Sequence, residues 1–315
     1  MKKCASLVAM LALFGWAMPM MAAPVEVAVD NQPVIGGETD ADEAVALDEE
    51  EAGWEFGGSV WADFRSKYVY YGLVDNPHAI IVPGAEVTFG HEDYFTLAVG
   101  VEAIFDTTNY GAKDGGYNDR RWKYMELDPY VTLSRSWDTE EWLGGKLNTS
   151  VNYLYEYHPR ACKKPSEGFD YPNAQWLTFE VGLEDDFLNP TLSVEYQLTT
   201  QGEWDGKGGI YATFSLSHEF DIGSKLGLEE GTLCLTPSIG IAAANKDRNL
   251  SDFEVDSAVM FRDAFARLDL SYTPFEGLSI APYIACHQQV GPAAREATED
   301  DQFIAYAGIG ISYEF

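Results

Sequence analysis

The C-terminal segment constrains the fold most. Phe303, Ala305, Ala307, Ile309, Ile311, Tyr313 and Phe315 alternate with Ile304, Tyr306, Gly308, Gly310, Ser312 and Glu314. Side chains in a strand change face at every residue, so this segment has one continuous apolar stripe ending on an aromatic ring. Its other face is nearly bare at Gly308 and Gly310. Such a strand needs apolar surroundings on one side only.

The same alternation recurs from Trp54 onward. Phe95, Leu97, Val99, Val101, Ala103 and Phe105 oppose Thr96, Ala98, Gly100, Glu102, Ile104 and Asp106. Leu147, Thr149, Val151, Tyr153, Tyr155 and Tyr157 oppose a wetter face, as do Ile210, Ala212, Phe214 and Leu216. About twelve segments of this kind are expected, near 55–66, 79–90, 94–106, 123–136, 146–158, 175–185, 191–200, 208–220, 231–243, 257–273, 277–288 and 302–315. The connections alternate short and long, with residues 221–230 a mild exception. That is the arrangement of a barrel with short turns at one end and longer loops at the other. The expected fold is therefore all-β: a transmembrane, antiparallel, up-and-down β-barrel over residues 54–315. After residue 24 no apolar run is long enough for a membrane-spanning helix. The mean hydropathy of −0.19 fits a barrel, whose strands turn every second residue toward water.

Four prolines oppose this reading. Pro83, Pro129, Pro237 and Pro282 fall inside expected strands. Proline cannot donate to a ladder, and a closed barrel has no edge to hold it.

Residues 1–23 read as a secretory signal: Lys2 and Lys3, an apolar stretch to Met21, then small residues at Ala22 and Ala23. Residues 24–53 form an acidic stretch without periodicity, expected to be a disordered periplasmic arm. Cys4, Cys162, Cys234 and Cys286 show neither a disulfide framework nor metal-like spacing. A formal net charge of −31 excludes a nucleic-acid binder.

Parity assigns the interior. The faces opposite the apolar stripes carry Asp63, Arg65, Glu86, Glu102, Asp128, Glu180, Glu195, Arg267 and Asp269, the expected channel-lining residues. Acids outnumber bases, which favours cations inside a low-dielectric wall. A lumen closed by pairing of these carboxylates with Arg65, Arg267 and tyrosine hydroxyls is the alternative. Cations including Lys113, Arg120, Arg121, Lys123, Arg160, Lys163, Lys164, Lys207, Lys246, Arg248 and Arg295 collect in or beside the long loops, where lipopolysaccharide phosphates would meet them.

No catalytic constellation appears. His78, His91, His158, His218 and His287 accompany no serine motif, and no pair has zinc-ligand spacing. His218 continues a lipid-facing stripe and is expected at the periplasmic interface. No enzyme activity, cofactor or metal is expected.

Two resemblances extend this reading. The alternating strand that ends on Tyr313 and Phe315 resembles the C-terminal signal read by barrel-assembly machinery. Ser66-Lys67-Tyr68-Val69-Tyr70-Tyr71-Gly72, followed by Pro83-Gly84, resembles the first-hairpin signature of the TorF-type porins, with Tyr71 where the signature has Arg. The strand segments Glu126-x-Asp128 and Leu278 to Tyr283 look similar to that family too. These resemblances imply a bacterial outer-membrane protein in contact with outer-membrane lipid and lipopolysaccharide. A porin-like channel passing small polar, cation-leaning solutes by diffusion is the leading expectation. A closed structural or binding barrel acting through its extracellular loops, residues 109–121 and 159–174 above all, is the other.

Overall fold

The computed structural model describes residues 53–91, 94–107, 123–158, 173–185, 187–200, 208–253, 259–291, 294–295 and 302–315. The expected signal segment, acidic arm and loops 109–121 and 159–172 lie outside them.

The strands are β1 (Glu55–Arg65), β2 (Tyr68–Tyr70), β3 (Leu73–Asn76), β4 (Ile80–His91), β5 (Phe95–Asp106), β6 (Lys123–Asp138), β7 (Lys146–Glu156), β8 (Ala174–Glu184), β9 (Asn189–Thr200), β10 (Ile210–Ser217), β11 (Phe220–Asp221), β12 (Leu233–Asn245), β13 (Val259–Phe275), β14 (Leu278–Gln289) and β15 (Phe303–Glu314). Among the described residues two short α-helices interrupt them, α1 (Glu140–Leu143) and α2 (Lys246–Phe253), with a 3₁₀ turn at Ser224–Leu226.

Twelve long strands form one closed antiparallel barrel. β1 pairs with both β4 and β15, and β10 pairs with both β9 and β12 across the two-residue β11. The ends of the chain's barrel meet where Phe315 and Gly58 exchange main-chain hydrogen bonds, each 2.9 Å. Strand bounds follow the alternation closely, because a period of two is strong wherever one face meets an apolar medium.

The four prolines each stand at a gap in one ladder. Pro83 pairs with Ala62 on β1, while the β4–β5 partners pass from Ile81 directly to Gly84. Pro129 pairs with Val101, and the continuous β6–β7 ladder begins only at Tyr130. Pro237 pairs with Leu268 and falls between the ends of β10 and β11. Pro282 pairs with Ile309, while the β13–β14 partners pass from Tyr283 to Ile280. An antiparallel residue directs its N–H to one neighbour only. The missing donor is therefore absorbed on one side and the other ladder stays intact.

The outer skin is apolar. Phe56, Val60, Phe64, Val87, Val99, Val131, Leu133, Ile239, Ile284, Ile309 and Ile311 are exposed on it. At the short-turn end aromatic rings gather: Trp54 stacks on Phe89 at 4.7 Å, with Tyr94 and Phe95 beside it. His218 sits there between Phe187 and Phe220. Apolar surface of this extent is unsuited to water and matches a bilayer, with amphipathic rings at its boundary.

Candidate functional site: the barrel interior

The inward faces build two distinct zones. The first is a belt midway along the strands. Arg65 Nε donates to Asp63 Oδ2 at 2.6 Å, and Tyr283 Oη donates to the same oxygen at 3.3 Å. Arg267 grips Asp269 with Nε and Nη2, at 2.8 and 2.5 Å, and lays its guanidinium 3.8 Å from the Tyr283 ring centre. Trp61 Nε1 donates to Glu102, and Tyr130 Oη donates to Glu86. Glu180 faces inward opposite Ser193. These charged pairs remain partly open to solvent, Arg65 at 28% and Arg267 at 29%.

Glycines make room for the belt's rings. A Cβ on Gly308 would lie 2.4 Å from the Tyr283 ring, and one on Gly100 equally close to Tyr130. The bare inward face of β15 is thus the seat of an aromatic ring from its neighbour.

The second zone occupies the long-loop end, and parity alone does not reveal it. The hairpin β2–β3 leaves the wall and folds into the barrel. Tyr68 packs on Ile80, Val82 and Ile104, while Tyr71 packs on Tyr211, Ala242 and Ala244. Walls on opposite sides of the barrel are touched at once, which only a segment inside it can do. This is where the buried apolar core lies.

The hairpin is pinned by polar groups. Gln289 Nε2 donates to the Gly72 carbonyl at 2.5 Å, and Arg262 Nη2 donates to the Tyr71 carbonyl at 3.3 Å. The Tyr71 hydroxyl donates to Glu195. Arg262 Nη1 and Arg248 Nε both donate to Asp252 of α2, at 2.5 and 2.8 Å. Asp263 accepts from Tyr211 at 2.9 Å and contacts His287 Nδ1 at 2.7 Å. Arg262, Asp263 and Gln289 are fully buried, in contrast to the solvated belt.

A register break creates this network. Alternation with Arg267 and Asp269 places Arg262 on the lipid side. Between Ile241 and Ala243 the β12–β13 register shifts, pairing Ile241 with Ala264 and Ala243 with Phe261. A bulge inserts an extra residue and re-aims its neighbours, so Arg262 and Asp263 both turn inward. Arg248 likewise departs from the loop-cation expectation. It is buried, with its guanidinium 4.0 Å from the Tyr71 ring centre and 4.7 Å from that of Trp176. Burial opposes its charge, but Asp252, Tyr70 and Glu195 outweigh that and raise its pKa above the ordinary value.

Of the sequence-predicted residues, Asp63, Arg65, Glu86, Glu102, Arg267 and Asp269 come together in the belt. Glu195 joins the hairpin zone, Glu180 stands apart on β8, and Asp128 lies beside Glu126 near the long-loop end.

No protein-family model matches the chain, and no curated protein aligns with it. Among solved structures it is similar to an outer membrane channel from Pseudomonas putida F1 (9% identity, 88% of this chain and 100% of that one, TM-score 0.46). It is also similar to the outer membrane channel DcaP of Acinetobacter baumannii (9% identity, 83% and 97%, TM-score 0.39). The translocator domain of autotransporter NalP from Neisseria meningitidis is a third (13% identity, 85% and 91%, TM-score 0.38). At these values none of them assigns a family or a solute. The closed barrel, apolar skin and polar interior of the chain itself define its class: a membrane-spanning β-barrel.

Proposed function

We propose that this chain is a bacterial outer-membrane channel of the porin type that passes small polar, cation-leaning solutes by diffusion. The hairpin of residues 68–76 narrows its long-loop entrance. The observation that carries the reading is the belt: charged side chains partly open to solvent, in the middle of a barrel whose outside is apolar. A barrel meant only as a scaffold has no need to keep Arg65 and Arg267 partly open to solvent.

The cation preference rests on charge balance. Arg65 and Arg267 each hold one carboxylate, Asp63 and Asp269. Glu86, Glu102 and Glu180 remain as carboxylates facing the lumen, and a low-dielectric wall focuses their field. In this reading Asp63, Arg65, Glu86, Glu102, Glu180, Arg267 and Asp269 line the channel, and Asp128 and Glu195 flank the entrance. Lipopolysaccharide meets the long-loop end, and Tyr313 and Phe315 serve the assembly machinery. The resemblance of residues 66–72 to the TorF-type porins falls on the segment that forms the lumen hairpin.

Refolded protein in a planar bilayer under a KCl gradient tests this. Discrete conductance steps with a cation-selective reversal potential are expected. Anion selectivity contradicts the charge assignment. A silent barrel favours the alternative, a closed barrel acting through its loops.

A further inference from the structure

Two neighbouring strand ends carry a second chemical feature, of which the lumen reading uses only Asp128. On β6, Glu126 and Asp128 lie two residues apart and both point inward, and both are buried. At the end of β7 and just past it, Glu156 and His158 repeat that spacing. Main-chain hydrogen bonds join Leu127 to Tyr157 in both directions, at 3.0 and 2.9 Å. This register sets Glu126 opposite His158 and Asp128 opposite Glu156. The backbone alone therefore assembles a two-by-two array of potential ligands.

The side chains converge. His158 Nε2 lies 3.6 Å from Glu126 Oε2 and 3.3 Å from Glu156 Oε1. One ligand atom each from Glu126, Glu156 and His158 falls within 4.8 Å of the others. Ligands about 2.1 Å from a tetrahedral divalent ion lie about 3.4 Å apart, so the observed separations need little adjustment. Asp128 stands beside Glu126 and is 6% exposed, yet its Oδ1 has no hydrogen-bond partner. Burying an unsatisfied carboxylate oxygen costs free energy that a cation would recover. Trp176 Nε1 donates to Glu156 Oε2 at 2.6 Å, which fixes that carboxylate with its other oxygen toward His158. Such outer partners orient metal ligands. Asn173 Oδ1 accepts from the His158 main-chain N–H at 2.8 Å and fixes the backbone there.

We propose that Glu126, Asp128, Glu156 and His158 form a binding site for one divalent first-row transition cation at the long-loop end of the barrel. Three carboxylates and one imidazole favour ions such as Mn²⁺ and Zn²⁺ over purely oxygen-seeking Ca²⁺. The site ties β6 to β7 beyond their last continuous pairing, whether or not the lumen conducts.

The test uses the full refolded barrel, stripped with a chelator and titrated with Mn²⁺ while the signal of the unbound ion is followed by electron paramagnetic resonance. One saturable equivalent per barrel is expected. Glu126→Gln and His158→Gln each weaken it by more than about 100-fold, and Trp176→Phe by about tenfold. Heat-modifiable gel mobility confirms that each variant is folded, and either ligand variant suffices if the other gives no folded band. Absence of binding, or several weak equivalents that survive both ligand substitutions, overturns the proposal.

Discussion

The guanidinium of Arg262 donates to the main-chain carbonyl of Tyr71, 191 residues earlier in the chain, at 3.3 Å. Its other amino group holds Asp252 on α2. One wall residue thus clamps the entrance hairpin and a loop helix together.

Replacing Arg262 with Met removes that clamp and leaves Asp252 held only by Arg248. Breaking a buried pair by removing one partner costs about 3–5 kcal/mol. We expect a folded barrel whose conductance is larger and noisier than that of the parent, with faster proteolysis or hydrogen exchange across residues 66–77. An unchanged hairpin by both measures counts against the clamp.

Gly72 has φ +72°, and a Cβ there would lie 2.6 Å from the Asp263 carboxyl carbon. Gly144 has φ +89° with nothing within 4 Å. Gly144→Ala should therefore cost only the left-handed backbone penalty, about 1–2 kcal/mol. Gly72→Ala should cost more and dislodge the hairpin. Comparing the two variants' unfolding midpoints and hydrogen exchange checks the ranking.

Asp252 gives the entrance one acid-side response, beside the His287–Asp263 contact and Glu195 in the same network. Burial opposes its charge, but Arg248 and Arg262 outweigh burial and hold its carboxyl below the ordinary carboxylate value. An unfolded Asp titrates at about 3.9. Its contribution is therefore complete above that pH and is lost as pH falls through the lower folded value. The Asp252 clamp should hold from pH 7 to 5 and be lost only well below about pH 4. Conductance of the parent beside Asp252→Asn across that range reports it, and a parent–variant difference that vanishes between pH 7 and 5 contradicts the assignment.

Glu86 and Glu102 test the belt. Each accepts from a single ring donor, Tyr130 or Trp61. Gln at both positions keeps shape and removes two lumen charges. Cation selectivity should fall toward neutrality in reversal-potential measurements, while the folded band on gels is unchanged. Undiminished selectivity would place the filter elsewhere.

The wall was readable from the sequence because most of each strand follows one rule, apolar outward and polar inward, with inward Ile80, Val82 and Ile104 under the hairpin and the β13 bulge as departures. The expected segment 123–136 became Lys123–Asp138, and 302–315 became Phe303–Glu314. Interior parity followed for Asp63 and Glu102 by the same rule. What stayed hidden depends on contacts between distant strands. Tyr68 to Asn76 looks like any short loop, and nothing local says that it packs on Ile80 and Ala244. Arg262 has lipid-side parity until the bulge turns it inward. Arg248 belongs to a polar helix whose burial is decided by Asp252 and Tyr71. The array around His158 needs the β6–β7 register, which spacing along one strand does not contain. The prolines looked like errors only because parity does not say toward which neighbour each N–H points.

We propose a conducting barrel narrowed by its own hairpin. Single-channel conductance of the parent protein beside a variant with residues 67–77 replaced by a short Gly-Ser link tests it most directly. Small cation-selective steps are expected in the parent, and larger steps, still cation-selective, in the variant. Equal conductance in the two, or silence in both, would contradict it.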